Sequence, residues 1–297
     1  MASVIDRVFR FNLASPPPWL RTNVHYEVVM GSTAYGVSSD NSDMDIYGFC
    51  IPPKEYIFPH LSGYINGFGK KPPNFEVWTE HHIKDKDKNK EYDFSIYGIV
   101  KFFQLCMDNN PNMIDSLFVP QNCVLHQTRV ATMIRDNRKI FLHKGCYHKF
   151  KGYSFSQLHK AEIKNPQEGS KRYEDIKNHG YDSKFLYHVV RLLDECEQIL
   201  TLGDLDLQRS KEYLKAIRRG EVSEEDVKSY FNEKEKYLNK CYEESKLPYS
   251  PDEDKIKTLL LNCLEDHYGS LEKAYFDPGK AEKALMEIKQ IIERNVK

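Results

Sequence analysis

One short run near the N-terminus constrains this chain more than anything else in it: Gly31-Ser32-Thr33-Ala34-Tyr35-Gly36, a mostly polar stretch from Val37 to Ser42, then Asp43-Met44-Asp45-Ile46-Tyr47-Gly48. Just before it, Val24-His25-Tyr26-Glu27-Val28-Val29-Met30 is rich in β-branched and aromatic residues and stops at glycine, which predicts a buried strand entering a turn. Just after it, residues 44–51 predict a second short strand, halted by Pro52-Pro53. Residues two apart in a strand share a face, so Asp43 and Asp45 project their carboxylates together, with Cα atoms about 6–7 Å apart. Two acids that close do not both stay ionised cheaply unless a cation sits between them. Hard oxygen donors of this kind suit Mg²⁺ (or Mn²⁺), and a pair of such ions about 4 Å apart holds triphosphate oxygens and an attacking hydroxyl. Gly31 lets the backbone approach a phosphate, and Ser32 offers a hydroxyl at an expected helix N-terminus. The plainer reading, a hairpin with a chance acidic pair, explains the glycines but leaves two strand carboxylates without a purpose.

The remainder divides into a mixed α/β first part and a helical second part, which predicts an α+β chain with a catalytic domain over 1–122 and a helical nucleotide- and acceptor-binding domain over 123–297. Residues 61–75 are rich in Gly and Pro and read as loop or hairpin. The run Lys84-Asp85-Lys86-Asp87-Lys88-Asn89-Lys90 reads as solvated loop leading into a strand-like Glu91–Tyr97 segment. Val100, Phe103, Leu105 and Met107 suit a helix, ended by Asn110-Pro111, with another beginning near Asn112. Phe185, Leu186, Val189, Val190, Leu192, Leu193, Cys196, Ile199 and Leu200 recur at helical spacing, as do Ile256, Leu259, Leu260, Cys263 and Leu264. Ser223 with Asp226 forms a capping-box pattern, and Asp277-Pro278 an N-cap followed by proline. An amphipathic helix is expected in the tail from Leu271 to Lys297, carrying Ala284, Leu285, Ile288, Ile291 and Ile292.

The order strand, Gly-Ser, helix and Asp-x-Asp strand resembles the nucleotidyltransferases of the DNA polymerase β superfamily. That resemblance implies metal binding by Asp43 and Asp45, a third carboxylate on a neighbouring strand, and a grip on the nucleotide's phosphates by Gly31 and Ser32. The longer pattern G-S-x-A-Y-G, S-D-x-D-x-x-G, Lys101-Phe102, Asn110-Pro111-Asn112 and Leu117-Phe118 is similar to a narrower branch, the RNA-repair (RNA-ligase-associated) polymerase β-like enzymes of bacteria and phages. It continues through Gly152-Tyr153, Gln157-Leu158-His159-Lys160, Lys184, His188, Arg191-Leu192-Leu193, Gly220-Glu221 and Leu247-Pro248, covering roughly residues 22 to 268. The resemblance implies NMP transfer from an NTP to an RNA (tRNA-like) 3′ end in the cytoplasm of a bacterium or phage-infected cell. Transfer to a protein hydroxyl, and an inactive nucleotide- or RNA-binding module, are the alternatives.

Asp93 is the expected third metal ligand, with Glu91, two residues away on the same face, the runner-up. Nucleotide-binding candidates are Gly31, Ser32 and Tyr35 of the turn together with Lys160, Lys184, His188 and Arg191. The last three fall at i, i+4 and i+7 on one helix face, and Arg191 suits a bidentate phosphate grip. The alternative for that face is a solvated surface with an Arg191–Glu195 ion pair. Tyr153 is a candidate base-stacking ring. His81 and His82, adjacent in a strand, point to opposite faces and are expected to be surface residues rather than a shared metal site.

Composition narrows the class. The seven cysteines are scattered and never in a C-x-x-C pair, which speaks against a disulfide framework or zinc site and for a reducing compartment. Net charge is −1, but bases outnumber acids from Arg138 to Arg191 while Glu221 to Asp254 is acidic, so a local basic surface is expected on a near-neutral chain. No apolar run reaches the roughly 18–20 residues a membrane span requires.

Overall fold

The computed structural model describes residues 3–38, 44–70, 74–163 and 166–271, and beyond them Leu285, Ile288, Lys289 and Ile292. Asp43, the Asp277-Pro278 cap and nearly all of the expected tail helix lie outside the described residues. The strands are β1 (Val24–Val29), β2 (Met44–Cys50), β3 (Val77–Asp85), β4 (Lys90–Gly98) and β5 (Val124–Gln127). Ahead of and between them stand α1 (Val4–Arg10), α2 (Leu20–Asn23), α3 (Lys54–Ile57), α4 (Ile99–Met107) and α5 (Pro111–Phe118). The helical part follows as α6 (Arg129–Asp136), α7 (Cys146–Ile163), α8 (Lys171–His179), α9 (Ser183–Leu202), α10 (Lys211–Arg218), α11 (Glu224–Glu244) and α12 (Glu253–Tyr268). This is the expected α+β class.

The strands form one mixed sheet in the order β3-β4-β2-β1-β5. β2 is antiparallel to β1 but parallel to β4, with Asp45 opposite Asp93 and Tyr47 opposite Ser95. Alternation sends Ile46 and Cys50 of β2, with Tyr92, Phe94 and Ile96 of β4, to one face, where they bury against α1 and α2 through Ile5, Val8 and Leu20. The opposite parity, Tyr47, Phe49 and Tyr97, faces the larger core shared with the helices. Gly48 is required where it stands, because a Cβ there would run into the Tyr26 carbonyl of β1. β5 lies beyond residue 122 and pairs with β1, so the sheet runs on to Gln127.

Several local expectations change. The charged run is a tight β3–β4 hairpin rather than a free loop: Asp85 is buried, and Arg7 of α1 grips its carboxylate with Nε and with Nη2, the latter at 2.8 Å. α5 starts at Pro111, one turn position earlier than expected, with the Asn110 side chain accepting from the Met113 N–H. The segment from Gly31 to Gly36 is a set of turns instead of a helix; both glycines have φ near +70°, at 66° and 70°, which ends any helical run between them. The Ser223–Asp226 capping box is formed at the start of α11.

The turn is fastened to the helical part by a buried polar network. The Tyr35 hydroxyl donates to Asp115 Oδ2 at 2.8 Å, and Arg191 Nη1 donates to the same oxygen at 2.6 Å and to both Glu195 oxygens at 2.9 and 2.8 Å. The Arg191 guanidinium also lies 4.0 Å above the Tyr35 ring centroid. Burial pushes the Glu195 and Asp115 carboxyls upward, and the nearby Arg191 charge pulls them back.

Two predictions follow from this packing. Arg191→Leu leaves two buried carboxyls without their cation, so denaturant unfolding should show a loss of about 3–5 kcal/mol; a folded, equally stable variant that merely binds nucleotide less well would show that Arg191 faces substrate instead. The Arg7 hydrogen bonds hold the Asp85 carboxyl down at about 2, so the stability this pair contributes is present above the ordinary carboxylate range and lost as pH falls through about 2. Unfolding curves from pH 5 to pH 2 should therefore fall less steeply for Asp85→Asn than for the parent, and parallel curves would contradict it.

Candidate functional site

The site is built from the ends of three segments. β1 delivers the chain to Gly31, and the Met30 N–H donates to the Asp45 carbonyl at 2.7 Å, clamping the start of the turn to β2. Gly31 then sits so close to the Asp45 carboxylate that a Cβ would collide with its Oδ2 atom, and its φ of +66° disfavours any other residue. Across the sheet, the in-register parallel partner of Asp45 is Asp93, at the usual interstrand spacing of about 4.8 Å. Two carboxylates thus share one face beside a backbone segment that carries no side chain. Asp43, the other expected ligand, lies outside the described residues.

His81 and His82 are both exposed, as expected of surface residues, but they do not follow simple strand alternation. A β-bulge between Glu80 and Ile83, with His82 at φ 59°, sets both residues against the Asp93 position. The His82 N–H donates to Asp93 Oδ1 at 2.7 Å, its ring Nδ1 lies 2.6 Å from Glu91 Oε1, and His81 Nδ1 is 3.6 Å from Asp93 Oδ1. The bulge therefore orients the Asp93 carboxylate through a backbone donor and engages Glu91 with an imidazole. Among the described residues no group of three or more His, Cys, Asp or Glu side chains is gathered to hold a metal; the Asp45–Asp93 pair supplies two hard oxygen ligands of the type Mg²⁺ takes.

The helical candidates separate. The stripe Lys184–His188–Arg191 runs from surface to core: Lys184 is exposed, His188 half-buried, and Arg191 buried in the network with Tyr35. Arg191 and Tyr35, both nucleotide-binding candidates from sequence, are spent on internal bonds; the helix face turns inward one turn after His188. His188 is held neutral, its pKa driven well down by burial and then by the positive charges of Arg191, Lys184, Arg218 and Arg172. Its neighbour Tyr187 lies within electrostatic reach of Asp45, and Arg218 stands 5.4 Å from the Tyr187 ring. Cations of α8, α9 and α10 thus converge on the Asp45 side of the helical part. Arg172 is paired to Asp182 at 3.5 Å, whereas Lys184 and Arg218 have no carboxylate partner among the described residues.

Arg218 was not singled out by the sequence, although the Gly220-Glu221 pair just beyond it was. Lys211 is a second such residue: its side chain and that of Gln208 flank Gly36, and Gln208 Nε2 donates to the Ala34 carbonyl at 3.2 Å. The Ser32 hydroxyl makes no hydrogen bond among the described residues, and the Ser32 carbonyl accepts from Val37 at 2.8 Å. Lys160 and Tyr153 are exposed on α7. A cavity of about 260 Å³ lined by Pro52, Tyr56, Phe75, Gly98 and Gln104 lies at the far ends of β2 and β4, away from the carboxylates. All seven cysteines are buried free thiols, and no helix among the described residues is long and apolar enough to cross a membrane.

Comparison with known proteins bears on this arrangement. An uncharacterised 38.9 kDa protein from the nrdC-mobD intergenic region of Enterobacteria phage T4 is 29% identical over 113 residues, 37% of this chain. The match spans about a third of that relative's length, 31%. A nucleotidyltransferase-like protein from Exiguobacterium sibiricum aligns over 80% of this chain and 72% of its own, at 9% identity and a TM-score of 0.28. The pattern of the RNA repair pathway DNA polymerase beta family matches residues 11–254, from the end of α1 into α12, and so takes in the turn, both acidic strands and the cationic helices. With most of its length inside that match, this chain belongs to the RNA repair pathway DNA polymerase beta family.

Proposed function

We propose that the chain is a nucleotidyltransferase that moves an NMP from an NTP to the 3′ hydroxyl of an RNA, releasing pyrophosphate. The observation that carries this reading is the in-register Asp45–Asp93 pair, set against the bare backbone of Gly31. Family membership supports it, as does the cationic side of the helical part.

Asp45 and Asp93, joined by Asp43, would hold Mg²⁺ or Mn²⁺, which when bound lowers the pKa of the acceptor hydroxyl and neutralises charge on the triphosphate. Asp93, fixed by the His82 N–H, orients that hydroxyl and takes its proton. The acceptor oxygen forms its bond to the α-phosphorus as the bond to the pyrophosphate oxygen breaks, and pyrophosphate carries away the electron pair. With no side chain at Gly31, the turn backbone lies close against the Asp45 carboxylate, so a phosphate held by Asp45 would meet that backbone, with the Ser32 hydroxyl donating to it. Lys184 and Arg218, with neutral His188 as a further donor, attract the outer phosphates. Arg191 acts behind them, holding the turn through Tyr35. The two other readings, a protein hydroxyl as acceptor and a silent binding module, call on the same turn.

Incubation with each α-labelled NTP and Mg²⁺, together with total RNA and cell extract, tests the proposal. Label should enter RNA, and Asp45→Asn or Asp93→Asn should abolish it while circular dichroism stays unchanged. Label confined to protein would replace the RNA acceptor by a protein one, and full activity in Asp45→Asn would overturn the catalytic assignment. Arg218→Ala removes one charge-assisted phosphate contact, so KM for the NTP should rise roughly 10-fold or more; an unchanged KM would remove Arg218 from the phosphate site.

A further inference from the structure

The sheet face that presents the carboxylates does not end with them. Tyr47 follows Asp45 by two residues on β2, and Ser95 and Tyr97 follow Asp93 by two and four on β4, so all five share one face. Tyr47 and Tyr97, partly buried where they pack beside the larger core, are diagonal neighbours on the two parallel strands, their ring centroids 6.4 Å apart and their planes within 29° of parallel. The Tyr47 hydroxyl is tied to Ser95 and lies in the field of Asp45 and Asp93. The Tyr153 hydroxyl of α7 is within electrostatic reach of Tyr97. Asn110 fixes that ring from the other side: while its oxygen caps α5, its Nδ2 donates to the Tyr153 hydroxyl at 3.4 Å.

Basic residues gather at the α7 end of this tyrosine line, away from the carboxylates. From Cys146 to Ala161, α7 contains no aspartate or glutamate. Lys149, Tyr153, Ser156 and Lys160 fall at i, i+4, i+7 and i+11, one helix face, and all four are exposed. Neither Lys149 nor Lys160 has an ion-pair partner among the described residues. Tyr153 is 41% exposed. A large exposed ring between lysines on the outer face of α7 serves no core, and rings with cations are what a single nucleic-acid strand requires: π faces for bases and positive charge for phosphates.

We propose that Tyr47, Tyr97 and Tyr153 form a stacking track for successive nucleobases of a single-stranded acceptor, leading its 3′ end to Asp45 and Asp93, with Lys149 and Lys160 holding its phosphates. The track rests on the RNA-acceptor reading and adds to it the form of the acceptor, an unpaired 3′ end rather than a duplex terminus. Nucleobase stacking has two sources here, the acceptor and the incoming NTP. The position of Tyr153, separated from the carboxylates by two other rings and flanked by lysines, assigns the outer end to the acceptor.

Anisotropy titration of a labelled single-stranded RNA of about ten nucleotides, without NTP, separates these possibilities when run beside titration with a fluorescent NTP. Tyr153→Leu and Tyr97→Leu should each weaken RNA binding by about 10-fold, the size expected for one lost stack, while Tyr153→Phe and Tyr97→Phe bind as the parent does and NTP affinity stays within about twofold. Weakened NTP binding with unchanged RNA binding would give the rings to the nucleotide and overturn the track, as would Leu variants with parental affinity for both. Failure of the track and failure of the acceptor reading are distinct: a parent that labels RNA but whose Leu variants bind normally loses only the track, whereas a parent that labels protein and binds no RNA loses both.

Discussion

The Arg191 guanidinium, enclosed between Asp115, Glu195 and the ring of Tyr35, is the interaction on which the rest of the architecture turns. It joins three parts of the chain that sequence keeps far apart: the glycine-flanked turn after β1, the short helix α5 and the long helix α9. A buried charge is tolerable only when its partners surround it, so the turn cannot shift relative to α9 without stranding two carboxyls and a cation. Gln208 and Lys211 close the same turn from α10's side. The consequence is a fixed distance between the sheet face with Asp45 and the helices with Lys184 and Arg218, the two surfaces that the proposed reaction places on either side of a triphosphate.

The second constraint is the parallel pairing of β2 with β4. Antiparallel neighbours could be supplied by a hairpin, but bringing Asp45 beside Asp93 requires the chain to leave β2, form β3 and return in the same direction. The β3–β4 hairpin serves this return, and its bulge at His81-His82 trims the orientation of Asp93. Arg7 and Asp85 secure the hairpin's tip to α1. The cavity of about 260 Å³ beside Pro52, Gly98 and Gln104 lies at the opposite ends of β2 and β4 from Asp45 and Asp93.

Much of this was legible in the sequence, where the relevant information is local. β1 and β2 carry period-2 patterning and clear stops, α9 and α12 carry helical apolar spacing, and the Gly-Ser and Asp-x-Asp elements lie within one short window. β3 shows in the sequence only as a strand at His81-His82, because it alternates mostly exposed residues across a bulge, and β5 gives no signal because it is only four residues long. The helix expected after Ser32 was overruled by the positive φ of Gly36. Arg191 was read with its local partner Glu195 but on a solvated or phosphate-facing surface, since Asp115 and Tyr35, which bury it, come from distant sequence. Arg218 gave no signal for a related reason: one arginine at the end of an ordinary amphipathic helix becomes notable only when folding brings Tyr187 and His188 beneath it.

The central claim is that the metal-dependent chemistry of this chain is centred on Asp45 and Asp93. Anomalous diffraction from crystals grown with Mn²⁺ and a non-hydrolysable NTP tests it most directly. The account predicts manganese peaks within coordinating distance of both carboxylates, with the triphosphate running from Gly31-Ser32 towards Lys184 and Arg218. Manganese bound elsewhere, for instance at the acidic pair Asp194 and Glu197 around Lys234, with nothing between Asp45 and Asp93, would contradict it.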